Sequence, residues 1–187
     1  MTITDNAVDN GVNLEALKEA RTVLGEQPEL ALFEWRVTNT WKWGTHSVAT
    51  VEKFGGMGGE QAHKQPFAYD IDHPELFAAE DNGATPVEMV LVGLAGCLTA
   101  GVASIAQLRG IQLRSVTAII EGDMDVRGSI GVDPEVRNGF SAVRVRYQID
   151  ADDASREDLE AVLAQSQKRS PVYDLLTSPT VVSVELA

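Results

Sequence analysis

The chain has 187 residues, 44% of them hydrophobic, and a formal net charge of −13 from 28 acidic against 15 basic side chains. That charge repels nucleic acid and anionic membrane surfaces, which argues against both as partners. The single cysteine, Cys97, excludes an internal disulfide, and a chain of this length closes a core without one.

Asn13 is placed to cap a first helix, with Leu14, Leu17, Ala20 and Leu24 on one face and Gly25 as its stop. From Ala31 to Trp43 the odd positions carry Ala, Phe, Trp, Val, Asn, Trp and Trp, while Glu34, Arg36, Thr38, Thr40 and Lys42 fall between them. That alternation predicts a half-buried strand. Gly44-Thr45 turns it into a second strand, His46 to Phe54. The run GGMGG, Gly55 to Gly59, reads as a flexible loop. A short strand from Pro66 to Ile71 and a loop through Asp81-Asn82-Gly83 follow.

The segment from Ala84 to Gly110 is the most distinctive. Thr85 suits an N-cap, Pro86 the first helical position and Glu88 the third, which completes a capping box. No charge occurs over the 18 residues from Met89 to Ala106. Eighteen is near the lower limit for a membrane span, yet the stretch is rich in Gly and Ala and has no flanking positive cluster or aromatic belt. It reads instead as a buried central helix. Leu91, Leu94, Leu98, Val102 and Ile105 form an apolar stripe; Gly93, Gly96, Cys97, Ala100, Gly101 and Ser104 form a face of small residues. A glycine inside a helix costs about 1 kcal/mol against alanine, so three of them point to a close approach by another backbone. Cys97 sits in that face. It is either a small packing residue or a thiol facing a narrow pocket, and a reactive thiol needs a cation or hydrogen-bond donor beside it.

Beyond Gly110 two strands are expected, Gln112 to Gly131 and Phe140 to Asp150, joined through DPEVRNG. Ser155 caps a helix to about Arg169, Ser170-Pro171 opens a short one ending near Thr177, and Val181 to Leu186 closes the chain as a strand. Hairpins around a few helices make the fold α+β.

Other features carry less chemistry. His63 and His73 lack ligand spacing with Cys97, so neither a metal nor another cofactor is expected. GGMGG is followed by no GK[ST] and is not a phosphate loop. Trp35, Trp41 and Trp43 share one strand face as core, dimer or pocket residues. The N-terminal MTITDNAVDNGVN lacks the basic start and apolar run of a signal peptide, and with one free thiol this predicts a cytoplasmic protein.

TPVEMVLVGLAGC leading into RGIQL, then IIEGDMDVRG, then RSPVYDLL and a last strand, resembles the OsmC/Ohr family of osmotically inducible and organic hydroperoxide resistance proteins. The resemblance covers residues 30–187 and leaves 1–29 as an N-terminal extension with a short helix. It implies an intertwined homodimer, two central helices wrapped by antiparallel sheets, with sites at the dimer interface. It also implies reduction of organic hydroperoxides by two cysteines, assisted by an arginine and a glutamate and reset by an external thiol. Cys97 matches the reactive cysteine. Ser170 stands where the second, resolving cysteine would be. The glutamate's place after the proline holds Val87, with Glu88 one residue on, about 100° around the helix. His46 is the nearest counterpart of the arginine. The candidate catalytic residues are therefore Cys97, His46 and Glu88. The expected function is a one-cysteine hydroperoxide reductase with an external thiol as partner. The alternatives are a binding protein for a small apolar ligand on the same scaffold and, third, a sulfur- or acyl-transfer enzyme with Cys97 as carrier.

Overall fold

The computed structural model describes residues 8–186. The described chain divides into two units, one holding residues 8–12 and 91–186, the other Asn13–Val90.

In the second unit, α1 (Leu14–Glu26) begins where Asn13 accepts a hydrogen bond from the Ala16 N–H, and it runs one residue past Gly25. The expected strand from Ala31 is broken in two. Residues Pro28–Ala31 form a 3-10 turn, and β1 (Glu34–Trp35) and β2 (Thr38–Trp43) follow. Both pair antiparallel with β3 (His46–Gly56), β2 along its first half and β1 at its far end. On its other edge β3 pairs with β4 (Gly59–Ile71). The strand from Pro66 is thus longer than expected, because GGMGG is no loose loop. Met57 and Gly58 both take positive φ, 51° and 76°. Two such residues make the tight hairpin turn whose twist matches the flanking strands, so pairing continues to Gly56 and Gly59. Trp35, Trp41 and Trp43 are 68%, 65% and 70% exposed, which removes them from the core of this chain.

The central helix α2 (Pro86–Arg109) starts as expected. The Thr85 hydroxyl accepts from the Glu88 N–H at 3.3 Å, and the Glu88 carboxylate accepts from the Thr85 N–H at 2.8 Å. By length and composition alone α2 could cross a membrane. Its Leu94, Leu98, Val102 and Ile105 are nonetheless buried.

In the first unit, β5 (Leu113–Asp123) and β6 (Ala142–Ala151) form an antiparallel pair. β5 stops eight residues earlier than expected. The Asp125 carboxylate accepts from the Arg127 N–H at 3.0 Å and pairs with its guanidinium. Those bonds fold the chain back into turns, and Gly131 at φ 75° continues them. Ser155 opens α3 (Arg156–Arg169) through a capping box with Asp158. Ser170 opens α4 (Pro171–Thr177). Val102, Ile105 and Val162 are the centre of the core, with Val116, Tyr147, Ile149 and Leu163 packed on them.

Two further features stand out. Val8–Asn10, which precedes the expected domain, is hydrogen-bonded to the end of α2. Gln107 accepts from the Asn10 N–H and donates to the Val8 carbonyl, both at 2.6 Å, and Asn10 Nδ2 donates to the Ile111 carbonyl at 2.9 Å. The predicted last strand, Val181 to Leu186, is not a strand. No described strand lies beside it, and Val181 and Val184 are almost wholly exposed. A strand exists through its ladder, so the alternation of this segment has no partner within the described chain.

Candidate functional site

Cys97 lies half-buried at the waist of α2, and its surroundings come from α3 and the start of α4. Gly101, one turn on, explains the approach. A Cβ there would fall 2.3 Å from Ser166 Oγ. Ser166 is 2% exposed, and its hydroxyl donates to the Leu98 carbonyl at 2.7 Å. Four residues later, Ser170 reaches Cys97 four residues earlier, so the two helices run past each other with their small residues in contact. Of the three glycines on the small-residue face, Gly101 alone is in such close contact with the described residues. At Gly93 and Gly96 an added Cβ would meet nothing within 4 Å.

Ser170 is 5% exposed. Its hydroxyl donates to Cys97 Sγ across 3.0 Å and accepts the Tyr173 N–H at 3.1 Å. Nearby, Tyr147 Oη and Thr99 Oγ1 share a hydrogen bond of 3.2 Å. Burial pushes the Tyr147 hydroxyl above its ordinary titration range; the Thr99 bond opposes this and the charge of a Cys97 thiolate adds to it. Two cavities adjoin the region. One of about 310 Å³ is lined by Leu98, Val143, Val145, Tyr147, Leu163 and Tyr173 among others; one of about 350 Å³ is lined by Ser170, Tyr173, Lys168 and Asp174 among others. These volumes sit at the small end of organic ligand sites.

The other sequence candidates have partners of their own. His46 opens β3 and its Nε2 is 2.7 Å from Asp70 Oδ1 on β4. Glu88 is engaged in the capping box, where the Thr85 N–H and then its hydroxyl hold the carboxyl below its usual range. His63 packs between Phe54 and Phe67, with ring centroids 5.3 and 5.4 Å away. Among the described residues no group of three or more His, Cys, Asp or Glu is arranged to hold a metal ion.

Sequence reasoning missed Asp72. It is 1% exposed, and its carboxylate accepts from Thr45 Oγ1 at 2.6 Å, the His73 N–H at 2.8 Å, and the Asn82 N–H and Nδ2 at 3.1 and 2.9 Å. These bonds, the Thr45 hydroxyl foremost, hold the carboxyl far below the ordinary carboxylate range. They also close the 73–83 loop ahead of α2. No local pattern marks the residue, since its side-chain partners lie 27 and 10 positions away. Because Asp72 titrates lower folded than unfolded, its stabilisation is complete above the ordinary range and declines as pH falls through about 4. Asp72→Asn is expected to melt below wild type at pH 7, with the gap narrowing at pH 3. A gap that ignores pH would contradict this assignment.

A half-buried thiol on an apolar helix, hydrogen-bonded from a helix junction, lies in an antiparallel α+β frame. The family model for OsmC-like protein matches residues 79–185, more than half of the sequence, and the chain belongs to that family. Two solved structures share the fold. An OsmC-like protein from Mycoplasma pneumoniae aligns at 17% identity over 77% of this chain and 87% of its own, with a TM-score of 0.58. An organic hydroperoxide resistance protein OsmC from Legionella pneumophila aligns at 17% identity over 76% and 89%, with a TM-score of 0.51. No curated protein sequence matches significantly.

Proposed function

We propose that the protein is a one-cysteine thiol peroxidase for organic hydroperoxides. The observation that carries this reading is the Cys97–Ser170 pair: a buried hydroxyl, rather than a second thiol, aimed at the sulfur from 3.0 Å. An O–H directed at sulfur stabilises negative charge there, and the thiolate is the nucleophile. The sulfur attacks the terminal oxygen of R–O–OH. An S–O bond forms, the O–O bond breaks, and the departing alkoxide takes a proton to become the alcohol. Sulfur is oxidised by two electrons to a sulfenic acid. Ser170 cannot condense with it, so an external thiol attacks the sulfur and water leaves. A second thiol releases Cys97 from the mixed disulfide. His46, held by Asp70, is the candidate donor where the family's arginine would act. Glu88 is the remaining candidate, beside its role as a cap.

The domain is assigned to residues 30–187 and the protein to the cytoplasm as a homodimer. Supporting the dimer, among the described residues, are the open space at Gly93 and Gly96, the exposed Val90 and Val92 beside them, and the segment Val181–Leu186 without a strand partner. Light scattering is expected to give twice the 20.2 kDa chain mass; a monomer at micromolar concentration would contradict it.

The competing reading, a binder of a small apolar ligand, is favoured by the 310 Å³ cavity, whose lining includes four aliphatic side chains but not Cys97. Cumene hydroperoxide with a thiol reductant tests the two. Alcohol produced at a rate proportional to protein supports the peroxidase, and ligand retention without turnover supports the binder.

A further inference from the structure

The Ser170 hydroxyl is engaged on both sides. Its oxygen accepts the Tyr173 N–H at 3.1 Å, which satisfies an orphan donor at the start of α4. A serine hydroxyl has a single proton, and that proton spans the 3.0 Å to Cys97 Sγ. At 5% exposure the oxygen has little water to turn toward. Accepting from Tyr173 occupies one of the oxygen's two lone pairs, and a Cys97 thiolate, which can only accept, takes the hydroxyl proton. Tyr173 N–H, Ser170 O–H and Cys97 sulfur form a short chain in which each bond polarises the next.

We infer that Ser170 is a positioning residue for the Cys97 sulfur, its hydroxyl fixing the thiol's direction and stabilising negative charge on it. A cysteine at this position could accept electrons from the reactive sulfur by forming a disulfide. A serine gives that up and supplies a permanent donor. The inference rests on the proposed peroxidase activity for its catalytic consequence only, because the effect on the thiol is readable without any peroxide.

The test is the rate of Cys97 alkylation by iodoacetamide in the full-length protein from about pH 6 to 10, across the thiol range. Ser170→Ala is expected to slow alkylation at neutral pH about tenfold and to move the pH–rate profile up by about one unit, the size of a lost hydrogen bond to a charged group. Ser170→Thr, which keeps a hydroxyl, is expected to restore the wild-type profile. Ser170→Gly guards against a folding defect, since glycine at an N-cap costs only about a few tenths of a kcal/mol against serine; it is expected to behave as Ala does. Ala and Gly profiles that coincide with wild type would overturn the inference, as would a Thr variant displaced as far as Ala. If wild type proves inert to hydroperoxide while these shifts are seen, the peroxidase reading fails and the positioning role stands.

Discussion

Cys97→Ser is expected to abolish hydroperoxide reduction, by at least about a thousandfold, while leaving the fold intact. A serine hydroxyl is a poor nucleophile without an adjacent base, and it cannot undergo the two-electron oxidation on which the cycle depends. The exchange is also structurally mild. Cys97 is half-buried, and the neighbouring Ser170 hydroxyl can donate to oxygen as it does to sulfur. Thermal melting should move by no more than a few degrees, the shift of about 1 kcal/mol in a domain of this size. The cavity lined by Leu98, Val143, Val145 and Leu163 does not include Cys97, so retention of an apolar ligand there should survive the substitution. Turnover assayed alongside ligand binding separates the outcomes. A Cys97→Ser variant that still reduces cumene hydroperoxide at the wild-type rate would remove the thiol from the mechanism.

Ser170→Cys is the second large effect. The hydroxyl oxygen already lies 3.0 Å from Cys97 Sγ, and the two positions are 73 apart in sequence. A sulfur on the longer C–S bond starts closer still, so small side-chain rotations bring the pair to bonding distance. One equivalent of peroxide should then remove both free thiols and lower the mass by two hydrogens, where wild type gains one oxygen. Closing a loop of this length stabilises the chain by about 4 kcal/mol in the chain-entropy description, so melting should rise on oxidation and fall back with a dithiol. The reductant requirement should also change, because a dithiol resolves an internal disulfide in one encounter. Two thiols that stay free under peroxide would show that α4 does not present position 170 to Cys97.

Most elements were legible in the sequence wherever one local rule decided them. Asn13, Thr85–Glu88, Ser155 and Ser170 each mark a helix start that the structure keeps, since a cap is a contact within four residues. The α+β class followed from the same periodicities. Two of the failures are non-local. Ala31 to Trp43 alternates well, yet neither face of β2 is buried in this chain; periodicity states that a face wants covering and is silent on what covers it. The same holds for Val181 to Leu186. The hairpin through Met57-Gly58 was hidden because glycine content reads as looseness until the φ values are known.

The site was legible in part. Cys97 stands out as the lone thiol on a small-residue face, and Ser170 as the residue opening α4. Their meeting, and the single-sided approach at Gly101, depend on how α3 lies along α2. Asp72 left no sequence trace, because its four hydrogen bonds come from three separated segments.

Intact-mass analysis of the wild-type protein after one equivalent of cumene hydroperoxide, paired with a free-thiol count, tests the central claim most directly. The account requires that the thiol be lost, that the mass rise by one oxygen, and that an added small thiol reverse both. An unchanged mass with the full thiol signal, in protein that remains folded, would contradict it.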